Sequence, residues 1–421
     1  MMKKKIHYAY VMLAACCLVQ GGTLGVIHNC RGIFYGPICR DLGVGLGSFT
    51  FYMLFFGLFS CIMLPFAGRV FHRVNIRWLL CGASVIFAGS VMLQATFQSL
   101  TAFYVAGAIQ GLTGAYLLFY PVPVLLGNWF RKGRGAAIGF AAATSGLAGA
   151  VMSPIGAAMI ASWGWRAASV ALGLISLLMA APASWLLYLR PEDRGTVPLG
   201  AEETCAEAPL TGISYGAAKK HAVYPVVIFL ALLISFICGY YLQLASYGTA
   251  EGFTEAFGAR MTALCMIGNV ISKLFLGWYY DRAGIRRAMY LGLGVVVAGF
   301  SALLIRSSWW FSIGSLGAGF AMGMSCVMTP ILVREVFGSR DYGRISSIVT
   351  ISTTVGVPIA TVTLGFLYDA VGSYRPGIFM GIAVAAAGMV LVEVVLRMGR
   401  SLRESAAWSA GGEAPLDSVK N

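Results

Sequence analysis

A chain of 421 residues with 58% hydrophobic and 11% charged side chains, and a mean hydropathy of +0.79, departs from the soluble pattern of about 25% charged residues. These figures exclude a disordered chain, a disulfide scaffold and an ordinary cytosolic enzyme. The net charge of +14 would suggest nucleic acid in a soluble protein, but the placement of the charges argues otherwise.

Stretches without Asp, Glu, Lys or Arg run over 6–30, 42–68, 78–130, 135–165, 167–189, 222–247, 288–305, 307–333, 345–368 and 376–392. A further stretch, 261–280, is interrupted only by Lys273. Crossing the hydrocarbon core takes about 20 apolar residues, because no water there can satisfy a bare backbone. The 53-residue run 78–130 is too long for one crossing and turns at Gln98-Ser99-Leu100-Thr101. Twelve spans are therefore expected, with the first retained and not cleaved as a signal peptide. The ten cysteines form no CxxC pairs and read as free, apolar packing residues.

With the N-terminus inside, 23 of the 30 Lys and Arg residues fall on the cytoplasmic side, as the positive-inside rule requires. The basic excess is then a topology signal, and a nucleic-acid partner is not expected. The expected location is the cytoplasmic (inner) membrane, with both termini cytoplasmic. Only Arg31 and Lys273 lie within the apolar layer.

A polar interruption near 191–221 divides the chain into an N-terminal six-helix bundle (1–190), a cytoplasmic linker (191–221), a C-terminal six-helix bundle (222–398) and a tail (399–421). The two bundles are internally similar. Gly68-x-x-x-His72-Arg73-x-x-x-Arg77 recurs as Gly277-x-x-x-Asp281-Arg282-x-Gly284-x-Arg286, and Gly156 to Trp165-Arg166 recurs as Gly365 to Tyr374-Arg375. Such paired halves place a substrate site between them, near the bilayer midplane. Gly107-x-x-x-Gly111, Gly135-x-x-x-Gly139 and Gly319-x-x-x-Gly323 are stripes for close helix contact.

The run Gly277-Trp-Tyr-Tyr-Asp281-Arg282-Ala-Gly284-Ile-Arg286-Arg287 resembles the loop signature of the major facilitator superfamily. The resemblance covers nearly the whole chain and implies an all-α membrane fold of two pseudo-symmetric six-helix bundles. Asp281 is expected against a neighbouring helix N-terminus, and Gly277, Asp281, Arg282, Gly284 and Arg286, with Gly68 and Arg73, are expected to form gating loops. His72 and Asn75 depart from the signature, so the second-half copy should carry more of that role. Within the superfamily, Tyr120-Pro121 through Trp129-Phe130-Arg131 to Gly139, continuing to Gly146, Gly149 and Pro154, resembles monocarboxylate transporters and bacterial oxalate–formate antiporters. So does Asn269-Val-Ile-Ser-Lys273-Leu-Phe-Leu-Gly277.

Lys273 is the sharpest signal. An ionised side chain in mid-membrane costs about 2.5–3.5 kcal/mol on insertion scales and normally faces a cavity or partner. Seven residues from Tyr280, it lies about 10 Å from the end of its span, too deep for easy snorkelling. The resemblance places it where related transporters carry an Arg that grips the substrate carboxylate. Lysine replaces that bidentate fork with a point charge that burial can neutralise. Asn269, one turn away on the same face, can orient Lys273 or donate to substrate. Span 1 ends in His28-Asn29-Cys30-Arg31. Arg31 is an outer attraction site for anions, the second member of a two-cation clamp with Lys273, or an interfacial anchor; Asn29 lies beside it as a candidate substrate contact, and His28 is a candidate proton-coupling group. The resemblance puts spans 1, 4, 7 and 10 around the central path, which adds Tyr116, Tyr120, Tyr240, Tyr241, Gln243 and Tyr247. Tyr120 and Gln243 are favoured among these.

No Walker motif, metal-ligand cluster or nucleophile–base arrangement stands in the sequence, so neither an enzyme nor a cofactor is expected. Gly317-Ala-Gly319 lies within a span and does not read as a nucleotide fingerprint. The function expected is secondary active transport of small organic anions, monocarboxylates or short dicarboxylates, by alternating access. It would run as antiport against a counter-anion or as proton symport, in a monomer. The rivals are an exporter of amphipathic compounds and a non-transporting membrane sensor or scaffold.

Overall fold

The computed structural model describes residues 7–119, 121–200, 211–403 and 409–410, with the side chains at 68, 69, 72, 119, 409 and 410 also outside the description. Among the described residues, ten helical runs are long and apolar enough to cross a membrane. Two of them, Arg134–Ser184 and Glu255–Leu303, are each broken at one glycine, Gly164 (φ 78°, ψ 162°) and Gly284 (φ 78°, ψ 169°). That left-handed backbone costs glycine nothing and strains any residue with a Cβ. The parts on either side are labelled separately, which makes the ten runs compatible with the twelve spans expected.

In chain order the helices are α1 (Tyr8–Leu42), α2 (46–73), α3 (Ile76–Thr96), α4 (Leu100–Trp129), α5 (134–163), α6 (165–184), α7 (Val223–Ala250), α8 (255–283), α9 (285–303), α10 (Ser308–Phe337), α11 (Tyr342–Val371) and α12 (Arg375–Arg403). Local signals set several of the ends. His7 caps α1 by accepting from the Ala9 amide, Asn75 caps α3 from the Arg77 amide, and Thr254 caps α8 from that of Phe257. The α3–α4 turn falls at Phe97–Ser99, as expected.

Helix α1 corrects the sequence reading. It does not end near Cys30 but continues to Leu42 and stops at Gly43, whose φ is 62°. The polar quartet His28-Asn29-Cys30-Arg31 is buried within it, because protein groups take the place of water. Four helices are irregular in mid-span. Helix α1 carries a π-helical stretch at Gly21–His28, α4 a π turn at Ala115–Phe119, α10 another at Met324–Met328, and α7 a 3₁₀ turn at Gly239–Gln243. These are spans 1, 4, 7 and 10. Such insertions redirect side chains and release carbonyls, and they concentrate at functional sites.

The linker divides between the halves. The Leu199 amide donates to Trp129 O and the Arg131 amide to Leu199 O, tying that end to the first half. The Ile213 amide donates to Phe337 O and the Tyr215 amide to Asp341 Oδ2, tying the other end to the second. The repeat is visible in three dimensions as well. Trp165 Nε1 donates to Asp41 at the end of α1 (3.2 Å), and its counterpart Tyr374 donates through its hydroxyl to Gln243 Oε1 on α7 (3.1 Å). All nine described cysteines are free.

On the face carrying Arg40 the halves are locked together. The Asp369 carboxylate, at the end of α11, accepts from the amides of Leu46 (3.0 Å) and Gly47 (2.7 Å) at the start of α2, where the helix dipole favours an anion. Arg40 pairs with Glu255 across the same seam, and Gly32 lies so close to Leu242 O that a Cβ would collide with it. Toward the linker face, Gly135 and Gly139 on α5 have open space where a Cβ would stand. Asp369→Ala should weaken closure of the Arg40 face by about 1 kcal/mol, roughly fivefold in population. Spin labels at Val44 and Val371 in a cysteine-free background should then report a larger long-distance fraction, and an unchanged distribution would contradict the assignment.

Candidate functional site

The site is built on α5, whose face toward α8 has been reduced to Ala142, Ser145, Gly146 and Gly149. Small residues let neighbouring backbones approach and leave carbonyls reachable. A Cβ on Gly146 would stand 2.7 Å from Val270 Cγ2 and 2.9 Å from Asn269 Nδ2, and one on Gly149 would stand 3.0 Å from Asn29 Cβ. Helix α5 therefore lies between Asn29 of α1 and Asn269 of α8, with the seam between the halves running through it.

Lys273 is 9% exposed, and its Nζ donates to the Ala142 carbonyl of α5 at 3.2 Å. That carbonyl also accepts from Ser145 Oγ at 2.8 Å. Among the described residues no carboxylate lies within ion-pair distance of Lys273, so a neutral oxygen faces a buried cation. One turn along, Asn269 is fully buried, and neither its amide nitrogen nor its amide oxygen has a partner. Asn29 Nδ2 donates to Ser145 O at 2.9 Å, while its Oδ1 is unpartnered. Buried polar groups are nearly always satisfied, and an unmade bond costs about 1–3 kcal/mol. Three orphaned amide atoms beside an unpaired ammonium form a cluster that an outside ligand would complete.

His28 and Tyr241 form a second contact between the halves. His28 Nδ1 and the Tyr241 hydroxyl are 2.8 Å apart, joining α1 to α7 across the seam, and the His28 ring also packs on Phe56 with centroids 5.2 Å apart. Both residues are buried.

Other expected residues lie elsewhere. The Arg31 partners are Gln110 Oε1 (2.7 Å), Met53 Sδ (3.2 Å) and the Phe56 ring (4.8 Å), all in the first half. It is neither an interfacial anchor nor joined to Lys273 in a clamp in this structure. Gln243 is occupied within the second half, donating to Thr361 O at 2.9 Å and accepting from Tyr374. Tyr240 and Tyr247 likewise donate to Gly377 O and Leu303 O. Tyr116 is buried at the π turn and stacked on Phe71. Tyr120 lies outside the described residues.

Of the gating residues, Arg73 is exposed at the end of α2 and Gly68 lies within that helix. Gly277 faces Val327 of α10, with 3.9 Å left for a Cβ. Gly284 makes the α8–α9 break. Arg286 pairs with Glu393 (3.1 Å), and Arg282 stacks over Trp278 (4.2 Å). Asp281 is exposed and forms no ion pair among the described residues. The expected contact with a neighbouring helix N-terminus is made instead by Asp369, on the opposite face.

Sequence reasoning missed Asp369, Gln110 and Ser145. Asp369 sits near a span end with nothing to distinguish it. Gln110 was hidden between Gly107 and Gly111, whose Cβ positions do abut the α2 carbonyls of Tyr52 and Phe56. An amide in the middle of an apolar span was the signal that could have revealed it.

The model of the Major Facilitator Superfamily matches residues 29–259 and 245–418. Monocarboxylate transporter 3 of Mus musculus is 25% identical over 97% of this chain and 85% of its own length. Monocarboxylate transporter 12 of the same species is 21% identical over 94% of this chain and 87% of its own. The MFS-type transporter pynF of Aspergillus niger is 26% identical over 66% of this chain and 62% of its own. Among solved structures, the nucleoside transporter NupG superposes with a TM-score of 0.70 at 10% identity, covering 93% of this chain and all of that one. A bacterial homologue of the human lysosomal transporter Spinster, inward-facing and unoccupied, gives 0.65 at 14% identity, covering 95% and 98%. With a family model spanning nearly all of it, an all-helical fold and these structural neighbours, the chain belongs to the major facilitator superfamily, and it is a transporter, not an enzyme.

Proposed function

We propose that this protein carries small monocarboxylates across the cytoplasmic membrane by alternating access, with both termini in the cytoplasm and twelve crossings. The observation that carries this reading is the buried, carboxylate-free Lys273 ammonium in the α5–α8 seam, beside the unpartnered Asn269. The names of the monocarboxylate transporters it resembles agree with it. A carboxylate arriving here takes the Lys273 charge and the Asn269 amide donor, and charge-assisted bonds of this kind contribute about 1.5–3 kcal/mol each. The free amide oxygens of Asn269 and Asn29 can accept from a hydroxyl, which suits a 2-hydroxy acid.

The seam is tightly packed in this structure, so substrate enters only when α5 and α8 part. Loading neutralises Lys273, which lowers the cost of closing an apolar seam over it. A counter-anion loads the site in the same way on the return, giving antiport. In symport a proton crosses with the substrate, on His28 or on Lys273, and the empty carrier returns without it.

Uptake of radiolabelled lactate, pyruvate, formate and oxalate into proteoliposomes tests the reading. Lys273→Gln should lower uptake of every transported acid at least tenfold, and Lys273→Arg should retain part of it. Full uptake of all of them by Lys273→Gln would refute the role.

Asn269→Leu removes two buried unsatisfied atoms, so the purified variant should melt at an equal or higher temperature while its KM for lactate rises several-fold. Loss of both stability and binding would mark Asn269 as a packing residue instead.

Tyr241→Phe deletes one buried cross-half hydrogen bond, worth about 1 kcal/mol. The facing equilibrium, read by spin-label distances, should therefore shift about fivefold with the ring packing intact. No shift would remove the His28–Tyr241 pair from the closure.

A further inference from the structure

Arg31 has no role in the seam, yet it is a fully ionised group buried in the first bundle (6% exposed). Among the described residues no carboxylate lies within ion-pair distance of it. One guanidinium nitrogen donates to Gln110 Oε1 and another contacts Met53 Sδ, while its plane lies over the Phe56 ring. These neutral partners leave the charge uncompensated, and an isolated buried cation is strongly disfavoured.

Beside it is a cavity of about 30 Å³ between α1, α2, α3, α4 and α6, lined by Arg31, Tyr35, Tyr52, Gln94 and Gln110 among others. Two donors at its wall are unused. Gln110 is fully buried, its oxygen is used by Arg31, and its Nε2 has no partner. The buried Tyr35 hydroxyl has no partner at hydrogen-bond distance, and it interacts at longer range with the Tyr52 hydroxyl, which also interacts with Arg31. The volume suits one or two water-sized occupants. A cation, an orphaned amide N–H and a buried phenol hydroxyl around so small a space select a compact monovalent anion. A neutral ligand would leave the charge unanswered.

We propose that the N-terminal bundle holds a halide-sized anion, of the chloride class, at Arg31, Gln110 and Tyr35, as a site separate from the carboxylate site at Lys273. Bound there, it supplies the counter-charge that the chain lacks and stabilises the first bundle as a unit.

The test uses the full-length purified protein. Crystals grown in bromide should show an anomalous peak against the Arg31 guanidinium. The thermal midpoint should be a few degrees higher in chloride than in gluconate at equal ionic strength, since a ligand specific to the folded state raises it by mass action. Gln110→Glu places a carboxylate beside Arg31 and should abolish the chloride dependence. Tyr35→Phe, a milder change that keeps the ring packing, should raise the half-saturating chloride concentration several-fold.

The chloride effect should persist in Lys273→Gln, and in that variant lactate should give no shift. This makes the proposal independent of the carboxylate reading. Equal midpoints in the two salts, absence of the bromide peak, or an effect lost with Lys273 would overturn it.

Discussion

The architecture around the seam depends on one unfavourable arrangement, an ammonium ion buried against a single backbone carbonyl. The Lys273–Ala142 bond is weaker than an ion pair, since a neutral oxygen returns only part of the solvation that burial removes. It forms at all because α5 presents Ala142, Ser145, Gly146 and Gly149 to α8, so that no side chain stands between Nζ and the carbonyl. A bulkier α5 would push Lys273 away from the seam, and an acidic partner would hold it there permanently. The chain does neither; in the proposed carrier this leaves a cation that is tolerated when the site is empty and better satisfied when an anion is bound. A carrier needs that difference, because only ligand interactions that differ between states can shift an equilibrium.

The closed Arg40 face shows how the opposing requirement is met. Its lock consists of Asp369 on the first turn of α2, the Arg40–Glu255 pair, and close backbone contact at Gly32. Each is modest. Exposed ion pairs contribute about 0–1 kcal/mol, and a carboxylate at a helix N-terminus about 0.3–1 kcal/mol from the dipole. A seam held by large apolar interdigitation would be too stable to reopen. Polar contacts at the rim and glycine-lined backbone contacts within keep both facings within reach of the ligand's own binding energy.

Much of this was legible in the sequence. The charge-free runs, the polar linker and the half-to-half offset led to the helices and the repeat, because lipid leaves the backbone few alternatives to helix. Lys273 and Asn269 stood out because polar groups deep in an apolar span are expensive. The α1 terminus was misread for the same reason in reverse. A quartet such as His28-Asn29-Cys30-Arg31 looks like the edge of a membrane when the partners that bury it, Ser145, Tyr241, Gln110 and Phe56, lie far away in sequence. The π turns of α1, α4 and α10 are equally hidden, since the extra residue per turn follows from tertiary contacts and leaves no composition signature. Asp369 gained its role only once α2 was folded against α11.

The two intramembrane cations differ in a way that follows from their chemistry. Arg31 is always charged, planar and stacked, held by groups of one bundle through a bidentate-capable fork. Its direct contacts all lie in the first half and move with it when the halves rock. Lys273 touches the opposite half through one flexible, rotatable donor, and that contact must break each time the seam opens. A guanidinium there would bring a rigid fork to a carbonyl that can satisfy only part of it, deepening one facing at the expense of the other. A lysine makes one bond and releases one bond. The chain thus keeps its fixed charge where nothing has to change and its adaptable charge where the two halves meet, and that division allows a single buried ammonium to serve both facings.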